Sequence, residues 1–308
     1  MQLLVTGANG FVGRALLEAI KASGHHAVPC VRNASGIHGE RSVGSIDDST
    51  DWSHALKGCL GVIHLAARVH VRHESVVDPL HEFRKTNVAG TLNLARQAAA
   101  AGVKRFIFLS SIKVNGESTP VGQAFNTSST PSPEDPYGVS KWEAEQGLQK
   151  IGADTGMEIV IVRPPLVYGA GVKANFSELI RLVDKKWPLP FGAVNNRRSF
   201  IAIDNLIDFI LICIDHRNAA GEVFLVSDGD DVSTAELVRR IAMAQGRKVY
   251  LWPIPVQMLL TLSWLFGKRQ SMARLCGNLQ LDNSKALCLL NWQPKIKMND
   301  ALKKISFN

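Results

Sequence analysis

A short apolar run at residues 2–6 breaks at Gly7 and is followed, at three-residue spacing, by Gly10 and Gly13 and then by an Ala/Leu-rich stretch, LLVTGANGFVGRALLEAI. Strand-like apolar residues, a glycine turn and helical patterning in that order restrict the fold severely. Gly7 permits the tight turn, Gly10 lets the backbone approach a pyrophosphate, and Gly13 allows the helix to sit close on the sheet. The helix N-terminus adds free N–H groups and the positive end of its dipole. Glycines commonly end strands, so the spacing alone is weak, but the second strand pattern at 26–31 completes a dinucleotide-binding unit.

The rest of the first half repeats the alternation. Apolar runs at 27–31, 61–65, 106–110 and 159–163 are separated by helical stretches, notably 87–101 and 137–151. Such alternation predicts a doubly wound α/β fold, a parallel sheet covered on both faces. Beyond Pro164 and Pro165 the regularity changes. A helix-like segment at 176–184 precedes the Pro/Gly-rich 187–192, an apolar helix pattern covers 200–215, and a buried-strand pattern covers 222–227. We expect a dinucleotide-binding domain at 1–166, to which the chain returns around 199–227, and a smaller mixed α/β substrate domain at 167–308. No internal repeat is visible, and the Ser/Thr/Pro-rich 118–135 is the one low-complexity piece.

A second feature carries chemistry. Ser111 lies in LSSIKVNG, and Tyr137 and Lys141 lie four residues apart in PYGVSKWEAE. Residues four apart share a helical face. A phenol with an ordinary pKa near ~10 is protonated at neutral pH, but an ammonium close by favours phenolate and brings it towards the working range of an acid–base catalyst. A serine hydroxyl at a strand end can hydrogen-bond the oxygen that gains or loses the proton. The three residues suit alcohol–ketone interconversion. Tyr-x-x-x-Lys is frequent by chance, and the dinucleotide unit is what gives it weight.

Composition bounds the remaining classes. The chain has 308 residues, 46% of them hydrophobic, enough for a large core. Its first strand begins at residue 2 or 3, leaving no leader pattern, so a cytoplasmic location is expected. Cys30, Cys59, Cys213, Cys276 and Cys288 are odd in number and widely spaced, suggesting neither a disulfide framework nor zinc. His70, His73 and Glu74 lack a completing ligand, and no metal is expected. The net charge of +8 favours anionic partners. Basic residues are scattered and no recognition motif appears, so nucleic acid is not expected and a nucleotide diphosphate substrate accounts for the excess. The apolar 256–266 is shorter than the ~20 residues that span a bilayer. It reads as a packed or substrate-covering helix in preference to an interfacial anchor, with no stable membrane insertion.

In order along the chain, TGANGFVG, VIHLAA, KTNVAGTLNLARQA, FIFLSS, PYGVSKWEAE, RPPLVYG, RRSFIAIDNL and LDNSKALCLLNWQP resemble the landmarks of the extended short-chain dehydrogenase/reductases, the NAD-dependent epimerase/dehydratase family. The likeness is strongest to bacterial UDP-sugar 4-epimerases and to 4-keto reductases of UDP-N-acetyl-quinovosamine synthesis. It implies that Tyr137 is the acid–base residue for the sugar O4, with Ser111 its hydrogen-bonding companion. Lys141 would hold the nicotinamide ribose and lower the Tyr137 pKa. Asn9, Gly10, Phe11 and Val12 would wrap the pyrophosphate between Gly7 and Gly13. Ile46, Leu65, Ala66, Ala67, Asn87 and Pro164 would line the cofactor, while Lys113, Asn175 and Arg198 would face the substrate. The duller alternatives are that Asn87 merely caps its helix and that Arg198 beside Arg197 is a solvated pair.

Departures from the family pattern set the finer expectations. Ile112 and Lys113 stand where sugar dehydratases carry an Asp-Glu pair, so dehydration is not expected. Val31 and Arg32 replace the acidic residue that takes the adenosine ribose of NAD, and Ser45 replaces the usual Asp near adenine. A guanidinium suits the extra phosphate of NADP, so the lean is to NADP over NAD. That favours a 4-keto-sugar reductase of surface polysaccharide synthesis. A 4-epimerase with retained NAD and a non-catalytic dinucleotide-binding regulator stay open. Relatives pair through two helices, here 87–101 and 137–151, and a homodimer is the expected assembly.

Overall fold

The structure, a computed structural model, describes residues 1–69, 78–172, 174–185 and 187–305, with the side chains of 174 and 175 outside that description. Seven parallel strands form the main sheet: β1 (Gln2–Thr6), β2 (His26–Val31), β3 (Arg41–Ser42), β4 (Gly61–His64), β5 (Arg105–Leu109), β6 (Glu158–Arg163) and, after two further strands, β9 (Val223–Leu225). Their order is β3-β2-β1-β4-β5-β6-β9. Strand order reverses between β1 and β4, and the crevice outside the carboxyl ends of strands at such a point is where ligands bind in this architecture.

Apolar clusters cover both faces. On one, Phe11–Ala22 and Ile203–Asp215 pack on β1, β4, β5, β6 and β9 through Leu16, Ile20, Phe209 and Ile210. On the other, Thr91–Ala100 and the long helix Pro136–Thr155 pack through Leu94, Ala98, Ala144 and Leu148 around Phe106 and Phe108. These central strands are buried on both sides, which explains their continuous apolar runs. A third cluster, with Phe176, Val183, Phe191, Phe200, Leu237 and Ile241, lies apart from the main sheet. It surrounds a two-stranded parallel pair, β7 (Leu166–Tyr168) and β8 (Phe200–Ala202).

The structure departs from the sequence-based expectations in three places. The apolar stretch at 200–215 is not one helix, because its first three residues pair with β7 before Ile203–Asp215 begins. The stretch at 87–101 starts within a π-helical segment, Arg84–Gly90, and continues as Thr91–Ala100. The helix Val256–Leu265 packs on one side only, through Leu259 and Val256, and leaves most of its large side chains exposed. No helix among the described residues is long and apolar enough to cross a membrane.

Candidate active site

The glycine turn closes as its spacing demands. Gly7 adopts φ +66°, and the Gly10 N–H donates to its carbonyl at 2.9 Å. A Cβ on Gly13 would stand 2.2 Å from the Gly7 oxygen, so only glycine lets the helix start this close to β1. Asn9 and Gly10 are exposed at the tip, while Phe11 and Val12 pack back on the sheet. Across the crevice, the N–H groups of Leu65 and Ala66 donate to Thr6 Oγ1 at 3.2 and 3.1 Å. Thr6 Oγ1 also meets His64 Nδ1 at 2.7 Å, and His64 Nε2 meets Thr91 Oγ1 at 2.9 Å. Burial pushes His64 down to about 3, so it is a neutral strut.

Asn87 does not cap a helix. Its side chain accepts from the Arg68 N–H at 2.8 Å and donates to the Arg68 carbonyl and to Ser140 Oγ, each at 3.0 Å. It thereby ties the chain after Ala67 to the long helix. Ile46 packs against Gly90, where a Cβ would come within 2.7 Å. The Pro164 carbonyl accepts from the Ile112 N–H at 3.0 Å, locking the segment after β5 to the end of β6.

Ser111 ends that strand in extended conformation and caps a short 3₁₀ turn, Ile112–Val114, accepting from the Lys113 N–H at 3.3 Å. The long helix starts beside it. Asp135 is its N-cap, accepting from Gly138 N–H at 2.7 Å, with Pro136 at the first position. Gly138 permits the contact, because a Cβ there would lie 2.7 Å from the Lys113 carbonyl. Ser111 and Tyr137 therefore flank one tight junction. Tyr137 is half-buried with its ring edge-on to Phe83 at 6.1 Å. One turn on, Lys141 is buried with Nζ 4.0 Å from the centroid of the Phe108 ring.

The expectation that Lys141 lowers the Tyr137 pKa is not met. Burial, reinforced by the Asp135 carboxylate, pushes the phenol up. Burial also brings Lys141 down to about 7, against a smaller opposing pull from Glu145, so it offers less than a full charge at neutral pH.

Lys113 is ion-paired: its ammonium is engaged by Asp135 and, at 3.0 Å, by Glu117. Glu117 in turn receives Arg274 through two hydrogen bonds at 2.9 and 2.8 Å. Arg198 turns inward beside Arg274, donating to the Gly277 carbonyl at 3.0 Å, while Arg197 is exposed. Burial and then Arg274 bring Arg198 down to about 10, against a smaller opposing pull from Glu117. Sequence reasoning missed Arg274; its only signal was its position just before the LDNSKA landmark. The Asn175 side chain lies outside the described residues, as do His70, His73 and Glu74. Among the described residues no group of His, Cys, Asp or Glu could hold a metal.

Another missed residue sits beyond β2. The Ala8 N–H donates to the Cys30 carbonyl at 3.3 Å, so the loop that follows β2 runs beside the glycine turn. In that loop the Glu40 carboxylate takes the N–H groups of Ser35, Gly36 and Ile37 at 2.6, 3.0 and 3.1 Å and the Ser35 hydroxyl at 2.6 Å. These bonds, Ser35 foremost, bring Glu40 down to about 2. Arg32 is exposed nearby, and its carbonyl accepts from Gly44 N–H and Ser42 Oγ.

A glycine-turn crevice at a strand-order reversal, with serine, tyrosine and lysine at its edge, defines a dinucleotide-dependent enzyme of the extended short-chain dehydrogenase/reductase type. Residues 3–227 match the NAD dependent epimerase/dehydratase family, and the chain belongs to it. It is 48% identical over 307 residues to a UDP-glucose 4-epimerase of Vibrio cholerae, covering 98% of this chain and 93% of that one. It is 28% identical to an N-acetyl-alpha-D-glucosaminyl-diphospho-ditrans,octacis-undecaprenol 4-epimerase of Escherichia coli O157:H7, over 92% and 88% of the two chains. The solved structure of a UDP-glucuronic acid 4-epimerase from Bacillus cereus in complex with NAD superposes with a TM-score of 0.79 at 22% identity, over 99% of this chain and 97% of that one.

Proposed function

We propose that this protein is a UDP-sugar 4-epimerase that keeps its NAD through the cycle. In this reading the protonated Tyr137 exchanges a proton with the sugar O4, Ser111 holds that oxygen, and Lys141 and Asn87 organise the nicotinamide end. Arg198 and Arg274 take the diphosphate, with residues 167–308 forming most of the substrate side. NAD supplies the hydride acceptor and donor when bound. A homodimer through the helices of the Phe106 face is part of the proposal, as is a cytoplasmic location.

The observation that carries the choice of cofactor is Glu40. The Glu40 carboxylate already takes the N–H groups of Ser35, Gly36 and Ile37 in the loop after β2, the loop that in this architecture lies beside the adenosine ribose. In this reading its charge opposes an extra phosphate there. This removes the argument from Arg32 for NADP, and with it the reason to favour a reductase. An epimerase needs no net reductant, and the 48% identity to a chain named UDP-glucose 4-epimerase supports the same reading. A second reading, a sugar diphosphate on a polyprenol carrier, draws on the name of the Escherichia coli relative and on the apolar side chains exposed close to Arg274.

The test is NMR of the purified protein with UDP-glucose and UDP-N-acetylglucosamine, with absorbance at 340 nm followed for a UDP-4-keto-6-deoxy-HexNAc and NADPH. Inversion at C4 with no net change in cofactor is the expected result. Stoichiometric NADPH oxidation would make the protein a reductase, and firm NAD binding without turnover on any of these would make it a regulator.

A further inference from the structure

Between Leu237 and Leu281 the chain carries seven lysine and arginine residues and no aspartate or glutamate. Arg239, Arg240, Arg247 and Arg274 pair with carboxylates outside the segment, and Lys248, Lys268 and Arg269 have no carboxylate partner among the described residues. Inside this segment lies the helix Val256–Leu265, VQMLLTLSWL. Trp264 and Leu265 are 62% and 65% exposed, and Phe266 in the next turn is 77% exposed. Met258 and Leu262 are exposed as well. A surface helix of a globular protein turns its apolar stripe inward and its polar residues to water. This helix is apolar nearly all round, with most of its large side chains outside.

The chain leading into the helix adds aromatic residues. Leu189 N–H donates to the Tyr250 carbonyl and Trp252 N–H to the Leu189 carbonyl, both at 2.9 Å, an extended pairing. Leu251 packs into the third apolar cluster, so strand alternation turns Tyr250 and Trp252 outward, where Trp187 is exposed too. Lys185 Nζ lies 5.7 Å from the Trp187 ring centroid. Lys268 and Arg269 follow Phe266 almost directly, are exposed, and pair with no carboxylate among the described residues. Indoles and a phenol beside exposed aliphatics, rimmed by unpaired cations, match the headgroup region of a bilayer, where Trp and Tyr concentrate and basic side chains meet anionic lipid.

We propose that the helix Val256–Leu265 with Phe266, Lys268 and Arg269 is an interfacial docking element that seats this protein on an anionic lipid surface without spanning it. A helix of ten residues lies in the interface plane and cannot cross the hydrocarbon core, which takes ~20 residues. The next helix, Arg269–Cys276, carries Arg274, so docking sets the arginine pair of the active site close to the headgroups. The proposal holds whichever diphosphate sugar is turned over.

The test is flotation of the full chain with vesicles of phosphatidylglycerol and phosphatidylcholine, against pure phosphatidylcholine. Binding to the anionic vesicles should exceed binding to the neutral ones at least tenfold. Trp264→Ser with Phe266→Ser, and separately Lys268→Glu with Arg269→Glu, should each cost at least tenfold and leave turnover of a water-soluble UDP-sugar unchanged. Quenching of wild-type tryptophan fluorescence by brominated phosphatidylglycerol gives a readout independent of variant folding. Absence of that quenching, absence of flotation, or equal flotation of wild type and variants would overturn the proposal. So would lipid-independent dimerisation lost in the serine variant, which would give this face to a second copy of the chain.

Discussion

Replacing Lys141 by methionine should make the protein more stable, by an amount that depends on pH in a defined sense. The ammonium is buried against the Phe108 ring and held at about 7, against an ordinary 10.5. At about 1.4 kcal/mol for each tenfold change in proton affinity, the folded state resists protonation of this side chain by up to ~5 kcal/mol, and by about half that once relaxation is allowed for. The folded pKa lies below the unfolded one, so between roughly 7 and 10.5 the unfolded chain binds the extra proton and stability rises with pH. Below 7 both states are charged and the whole cost is present. Above 10.5 both are neutral and it is gone.

Methionine keeps the length and apolar stem without the charge, so Lys141→Met should gain ~2 kcal/mol or more at pH 6 and progressively less towards pH 10. Urea unfolding of both proteins at pH 6, 8 and 9.5 measures the difference, and groups that titrate alike in the two cancel. An advantage that is absent at pH 6, or that grows with pH, would refute the burial argument. Activity should be lost at every pH, because the variant cannot supply the ammonium that the proposed site uses.

Tyr137→Phe should lower kcat at least ~100-fold while NAD affinity stays within a factor of two by fluorescence titration, the signature of a lost acid–base group. Glu145→Gln strands the buried Arg163 guanidinium, now 2.5 Å from Glu145, and should cost about 3 kcal/mol or more in urea unfolding. Glu40→Gln should narrow the preference for NAD over NADP measured by calorimetry, and Arg32→Ala should widen it; unchanged ratios in both would dispose of the proposed role of that loop. Lys113→Met should raise the KM for a UDP-sugar several-fold with a stability change under ~1 kcal/mol, since its half-exposed ion pairs contribute little to folding but hold Glu117 and Asp135 in place.

What could be read from the sequence was what local rules encode. The glycine turn and the apolar runs of β1, β4, β5 and β6 follow from backbone freedom and burial on both faces, and were legible at once. β3, two residues long at Arg41 and Ser42, has no periodicity to detect. β8 was hidden because no breaker separates Ala202 from Ile203, where the helix begins without a side-chain cap. The apolar 256–266 signalled burial by composition, yet hydropathy reports a need to leave water and not what covers the residues. Glu40 and Arg274 were invisible because their partners, Ser35–Ile37 and Glu117, are set by loop closure and by contact across 157 positions of chain.

Lys113, which with Ile112 leads us not to expect dehydration, has a structural consequence as well. Asp135 takes the Gly138 N–H with one oxygen and Lys113 with the other, so the cap that starts the helix one residue before Tyr137 is also an ion-pair partner. Glu117 shares Lys113 and receives Arg274. One ammonium and two carboxylates thus connect the start of the helix bearing Tyr137 to a guanidinium contributed by the far end of the chain. A carboxylate at position 113 would repel both Asp135 and Glu117 and release that connection. In this chain Lys113 therefore couples the helix of the phenol to Arg274, and Lys113→Met, which adds no carboxylate, would break that coupling without supplying the pair that elimination is expected to need.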